Sequence, residues 1–383
     1  MKRELDVVLY GATGFTGKQT VEYFARNAPP TLRWAIAGRN RQKLDALKAG
    51  VPVLVTDSAD PSQCEQLTAR TKVLLTTAGP FALYGDRLVA ACVETGTHYV
   101  DITGEVAWVR SLIDRFHDQA AAQGTRIVPF CGFDSTPADL GVYLLVKQLG
   151  NQLSEVKSYV QAKGGSPNGG TIASALETYS SGAAEQGKDL FLLSPGFTRL
   201  AKRLERDPTG VTYDKDLQAW LAPFPMSIID TRVVRRSCSL MGVDIAYQEF
   251  LGFSGGLAPV KATGVLLGTA LFFAAMRARF SRHLVTKLFR AGQGPSVETM
   301  DGGWFRTRMR GLCRDGRTAE VFIAGQGDPA NRITVKCVCE SALAIASDAR
   351  DLPARGGVLT PSTGIGDALV LRLQARGITF SLS

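Results

Sequence analysis

From Leu5 onward the chain alternates short β-branched apolar runs with longer stretches that read as helix. Six strands are predicted, at 6–10, 32–37, 51–56, 72–77, 98–103 and 126–131. The helices between them carry their own punctuation. Pro61 suits a first turn, where the missing N–H would have had no partner, while Gly96 and Gly124 suit the left-handed step that ends a helix. Strands joined by helical crossovers run parallel, so residues 1–138 are expected to form a doubly wound parallel sheet of the α/β class.

After Asp139 the alternation stops, and Gly164-Gly165-Ser166-Pro167-Asn168-Gly169-Gly170 opens text of a different kind. Strand-like segments at 156–161, 227–235 and 332–338 predict a second, α+β domain over 139–345 with a largely antiparallel sheet facing the first. Residues 361–377 read as one helix, in a C-terminal segment, 346–383, expected to pack back on the body.

The first strand runs directly into Gly11-Ala12-Thr13-Gly14-Phe15-Thr16-Gly17 and then a helix. This is the setting in which three glycines bind a dinucleotide. The first makes the sharp turn, the second lets the backbone approach a pyrophosphate, and the third lets the helix sit close to the sheet. Unpaired N–H groups of the helix N-terminus then face the phosphates. A triphosphate P-loop is the competing reading, but Ala12 replaces its first glycine and Gln19 stands where a hydroxyl must meet magnesium. The loop therefore predicts a Rossmann domain.

The second strand ends in Ala37-Gly38-Arg39-Asn40-Arg41, with no carboxylate where NAD-specific domains hold the ribose 2′-hydroxyl. Arg39 and Arg41 offer guanidinium forks for a 2′-phosphate, so NADP(H) is the expected cofactor, with Asn40 between them. Asp57, after the third strand, reads equally as a hydrogen-bond acceptor for the adenine amine and as a helix cap. Ala78, Gly79 and Pro80 close the fourth strand, at the sheet edge where nicotinamide and ribose pass.

Together with Tyr99-Val100-Asp101-Ile102-Thr103-Gly104-Glu105, Cys131-Gly132-Phe133-Asp134-Ser135-Thr136-Pro137, Gly169-Gly170-Thr171 and Gly357-Val358-Leu359-Thr360-Pro361, these motifs resemble the saccharopine dehydrogenase-like oxidoreductases. Within that family they are similar to the trans-acting enoyl reductases. The resemblance implies an NADPH-linked reduction of the carbon–carbon double bond of a lipid-like or polyketide-like acyl substrate, small or carrier-bound. Two alternatives stay open: reduction of a small amino-acid-derived imine, for which Arg235 or Arg236 would have to grip a carboxylate, and a non-catalytic NADPH-binding protein at a lipid surface. Enoyl reduction needs a proton for the α-carbon. Asp134 and Ser135, after the sixth strand, and Tyr247 are the candidates, with helix capping and core packing as the competing readings.

Composition narrows the partners. The net charge of +9 favours anionic ligands without selecting one, and no nucleic-acid partner is expected. Seven scattered cysteines and three distant histidines lack the spacing of a metal site, so no metal is expected and the thiols read as small hydrophobes. The initial apolar run Val7-Val8-Leu9 is too short for a signal peptide, which points to the cytoplasm. The apolar run 265–276 falls short of a spanning helix and is followed by Arg277, Arg279, Arg282, His283, Lys287 and Arg290, so 265–290 reads as a peripheral contact with the inner face of a membrane or as a buried helix with a basic tail. Self-association is left open.

Overall fold

The computed structural model describes residues 3–196, 205–215, 217–278, 280–282 and 292–383. The first six strands, β1 (Leu5–Tyr10), β2 (Trp34–Gly38), β3 (Val53–Val55), β4 (Thr71–Thr76), β5 (His98–Asp101) and β6 (Arg126–Val128), form where they are predicted to within a few residues. They lie in the order β6-β5-β4-β1-β2-β3, all parallel. Alternation decides which face each residue serves. Val7 and Leu9 join a core on one side, under the helix Phe15–Asn27, and Val8 and Tyr10 join a core on the other, under the helices Pro61–Ala69, Asp86–Thr95 and Val106–Ala122.

The second sheet holds β7 (Leu153–Lys163), β8 (Thr212–Asp214), β9 (Ala219–Pro223), β10 (Ala246–Phe253), β11 (Trp304–Cys313) and β12 (Thr318–Gln326). Its pairings are antiparallel except β10 with β7. The end of the chain then returns to both sheets. β13 (Gly357–Val358) extends the first sheet beside β6, and β14 (Thr379–Leu382) extends the second beside β12.

Two predicted strands are helices. Residues 227–235 belong to the helix Ser227–Met241 and 332–338 to the helix Thr334–Ser347 with its short leading turn Pro329–Ile333. Both helices are buried nearly all round, so their text shows no polar face repeating at 3.6 residues, and paired β-branched residues such as Val233-Val234 imitate a strand. Their punctuation is the better guide. Gly242 adopts the left-handed conformation (φ 71°) that stops the first, and the Asp328 side chain accepts from the Asn331 N–H just before the second. The predicted helix over 361–377 is two helices, Pro361–Gly364 and Asp367–Ala375, parted at Gly366 (φ 62°).

The helix Thr334–Ser347 packs on β1, β4 and β5, while the helix Thr136–Leu149 packs on β7, β11 and β12. One apolar core therefore runs from Val73 and Leu75 of the first sheet to Met309 and Val321 of the second.

Candidate functional site

The glycine loop is closed by contacts that admit no side chain. Gly11 turns at φ 83°, and a Cβ there would stand 2.9 Å from the Ala78 nitrogen; a Cβ on Gly17 would stand 2.1 Å from the Gly11 carbonyl oxygen. These two glycines hold the loops after β1 and β4 and the helix Phe15–Asn27 against one another. At Gly14 a Cβ would meet only that same carbonyl oxygen, at 3.4 Å, so the loop is open on the Gly14 side. Gly14 is also the N-cap and provides no side-chain acceptor, which leaves the first-turn N–H groups to a ligand.

The other residues expected at this site divide. Arg39 lies at the rim with its guanidinium carbon 5.3 Å from the centre of the Tyr84 ring, and no carboxylate among the described residues pairs with it. Its neighbour Arg41 is bound to Asp45. Asn40 caps the short helix Arg41–Asp45, accepting from the Lys43 N–H at 2.9 Å. Asp57 accepts from the Ala59 N–H at 3.0 Å, and the cap of the helix Pro61–Ala69 is instead Asp60. Thr13 is half-buried in the loop, and the Phe15 ring lies against Gly294. Ala78, Gly79 and Pro80 pass beside Gly11, and a Cβ on Gly79 would come 3.0 Å from the Ser174 hydroxyl. The Glu105 carboxylate receives the Phe81 and Ala82 N–H groups, both at 2.8 Å, and so fixes the turn that follows Pro80. Asp101, raised to about 7 by burial, accepts from the Tyr99 hydroxyl at 2.9 Å and the Thr103 N–H at 3.0 Å.

Sequence reasoning missed a buried network that docks the second region on the glycine loop. Asn168 donates to the Thr16 hydroxyl at 3.4 Å and to the Asn331 side-chain oxygen at 3.1 Å; Asn331 donates in turn to Asp328 at 2.8 Å, which also receives the Gly165 N–H. Asn168 caps the helix Gly169–Ser180 as well. The signals were an asparagine ahead of Gly-Gly-Thr and an Asp-Pro step, both helix starts.

A second cluster gathers around the loop after β6. The Ser135 hydroxyl donates to Asp230 at 3.1 Å, so Ser135, although it occupies the N-cap position of the helix Thr136–Leu149, does not cap it with its side chain. Tyr247 and Ser158 donate to the same Glu249 oxygen, at 3.3 and 3.4 Å. The remaining oxygens, Asp230 Oδ2 and Glu249 Oε2, are buried without a hydrogen-bond partner among the described residues, and the two carboxyls act on each other's proton. Burial, with like charge beside it, drives Asp230 well above the carboxylate range and Glu249 up to about 7. Asp134 stands close enough to raise both, is itself pushed up to about 6 by burial, and is the half-buried member of the three. No local pattern could have announced this cluster, because Asp230 and Glu249 meet Ser135 only through the tertiary fold.

Arg235 and Arg236 do not line the cleft. Both are buried on the helix Ser227–Met241, Arg235 donating to the carbonyls of Leu190, Glu205 and Tyr247 and Arg236 to that of Val358.

A parallel sheet with this loop at its edge and an unpaired arginine after β2 defines an NADP-linked oxidoreductase, and the residues present fit NADP(H). Residues 7–128 match the family model of the saccharopine dehydrogenase NADP binding domain. Rv2449c of Mycobacterium tuberculosis is 38% identical over 98% of this chain and 97% of its own. The trans-acting enoyl reductases of Mycobacterium bovis and Mycobacterium leprae are 34% and 32% identical over the same shares. The chain belongs to the saccharopine dehydrogenase-like oxidoreductases, in their trans-acting enoyl reductase branch. Its fold is that of saccharopine dehydrogenase (L-Glu forming) from Saccharomyces cerevisiae, with a TM-score of 0.55 over 99% of this chain and 100% of that one at 12% identity.

Proposed function

We propose that the protein reduces the conjugated carbon–carbon double bond of a lipid-like or polyketide-like enoyl thioester. The observation that carries this reading is a group of proton-bearing carboxyls at the carboxyl edge of a sheet whose relatives, along nearly their whole length, are named enoyl reductases. NADPH would supply the hydride for the β-carbon. Gly14 and the first-turn N–H groups would hold its diphosphate, with Gly11 and Gly17 closing the loop, and Arg39 would hold its 2′-phosphate. The chain itself must then give a proton to the α-carbon. Asp134 is the donor in this scheme, because it is the least buried member of its cluster and holds its proton up to about pH 6. Asp230 and Glu249 lie behind it as a reservoir, since three adjacent carboxyls cannot all be charged. Ser135 and Tyr247 act as positioning residues that fix the reservoir's oxygens.

The imine reading has lost its support, because the two arginines it required are spent on backbone carbonyls. The test is the consumption of NADPH, followed by absorbance, against a panel of enoyl thioesters and imines. Turnover of enoyl thioesters is expected; turnover of imines alone, or of neither, overturns the proposal. Asp134→Asn is expected to lower kcat by about 100-fold or more while leaving the KM for NADPH unchanged.

A further inference from the structure

The helix Ala258–Arg277 has an outer face with no partner among the described residues. It is 20 residues long, about 30 Å, and it extends the predicted run 265–276 by about two turns at its start. By length and composition it is the one helix among the described residues that could cross a membrane. The fold lays it flat instead. At its start Ala258 and Ala262 are buried against β9 and β10; at its end Met276 is buried, and Arg282 donates to the Tyr179 carbonyl at 3.2 Å. Both ends are thus held on the same side of one body.

What remains outside is an apolar stripe. Val260, Leu267 and Leu271 recur at helical spacing, prolonged by Leu257 before the helix, and all four are between 64 and 72% exposed. Exposed apolar residues in a row of this length mark an interaction surface. Its charges choose the partner. The helix contains no carboxylate, Lys261 is exposed near its start and Arg277 at its end, and Arg282 follows. Arg282 spends its guanidinium on the carbonyls of Met276, Tyr179 and Arg277, and Arg277 reaches Glu185 only at 3.9 Å, with both side chains well exposed. A second copy crossing antiparallel would set Lys261 against Arg277, cation against cation, whereas a sheet of anionic headgroups satisfies both. A groove of about 650 Å³ lies beside the helix, lined by Tyr179, Ile228, Ala270, Phe273 and Ala274.

We infer that the protein docks on anionic phospholipid bilayers by seating the Val260, Leu267 and Leu271 face of this helix among the acyl chains. The basic residues that follow in the sequence, Arg279, His283, Lys287 and Arg290, lie outside the described residues.

The test is co-sedimentation of the full chain with phosphatidylcholine vesicles, with and without phosphatidylglycerol, at low and high salt. Binding to the anionic vesicles that weakens as salt rises is expected. Leu267→Asp combined with Leu271→Asp should reduce that binding at least tenfold while thermal midpoint and NADPH binding stay unchanged, since both side chains point outward. Arg277→Glu should weaken it about fivefold or more, on the scale of roughly 1 kcal/mol for each surface cation. The inference is overturned if neither vesicle is bound, if the aspartate pair binds as well as the unaltered chain, or if that pair converts a dimer to a monomer in light scattering without changing sedimentation.

Discussion

Arg39 is the residue on which coenzyme choice turns. Its fork has a tyrosine face beneath it and no carboxylate beside it, so a 2′-phosphate is the strongest partner it can find. A charge-assisted hydrogen bond of about 1.5–3 kcal/mol corresponds to roughly 10- to 100-fold in affinity. Arg39→Ala should therefore raise the Kd for NADPH by that factor and leave the Kd for NADH almost unchanged, as read by fluorescence titration of the two coenzymes. Gly17→Ala tests the same site from the backbone side. Its added methyl would collide with the Gly11 carbonyl, so NADPH binding should be lost and stability should fall by about 1–3 kcal/mol in a denaturant titration. Both residues were legible in the sequence because each answers a local demand, a close approach or a charge at a fixed step after a strand. Asp230 and Glu249 answer to each other across the fold, and neither has a neighbour in the chain that hints at it. Asn40 shows the reverse limit, since its identity suits a coenzyme loop and a helix cap alike and the fold uses it as the cap.

At the level of elements, the parallel strands were readable because each ends in a glycine, a cap or a change of period. The two internal helices were not, since a segment buried on every side has no polar stripe for a period to appear in. The helix Ser227–Met241 brings Asp230 against β10, and this junction makes stability depend on pH. Glu249 titrates near 4.5 when exposed and at about 7 when folded. Below the lower value both states hold the proton, and the contribution is fully present. As pH rises toward the higher value the unfolded chain releases its proton first, so the folded state is progressively destabilised. The thermal midpoint should accordingly fall between about pH 5 and about pH 8, and Glu249→Gln should flatten that slope. A midpoint that rises over this interval, or a slope identical in the variant, would contradict the assigned proton. The loop 164–170 is an element of another kind, pinned by amides to the helix that faces the coenzyme. Asn331→Ala leaves Asp328 and Asn168 short of partners, at a cost of about 1–3 kcal/mol, and should also raise the KM for NADPH.

Taken whole, the molecule is two sheets sharing one apolar core, with the last residues threading back into each. The class of the first sheet followed from the rhythm of the text, because a crossover helix forces parallel strands, whereas of the three segments read as strands of the second sheet only 156–161 is one. The way β13 and β14 divide the tail between them did not, as two residues of Gly-Val carry no signal of the sheet they will join. The basic excess finds a use at this scale too. Lys261 and Arg277 flank the long apolar face of the helix Ala258–Arg277, while Arg39 stands at the coenzyme loop.

All seven thiols are buried, and burial pushes those of Cys64, Cys238 and Cys337 up to between about 11 and about 12. Cys64 and Cys92 lie on one side of the parallel sheet, while Cys131, Cys337 and Cys339 lie on the other. A sulfhydryl dye can reach either set only when the layer above it lifts away. Labelling kinetics, resolved by mass spectrometry, would thus time the breathing of each layer separately, with no probe introduced.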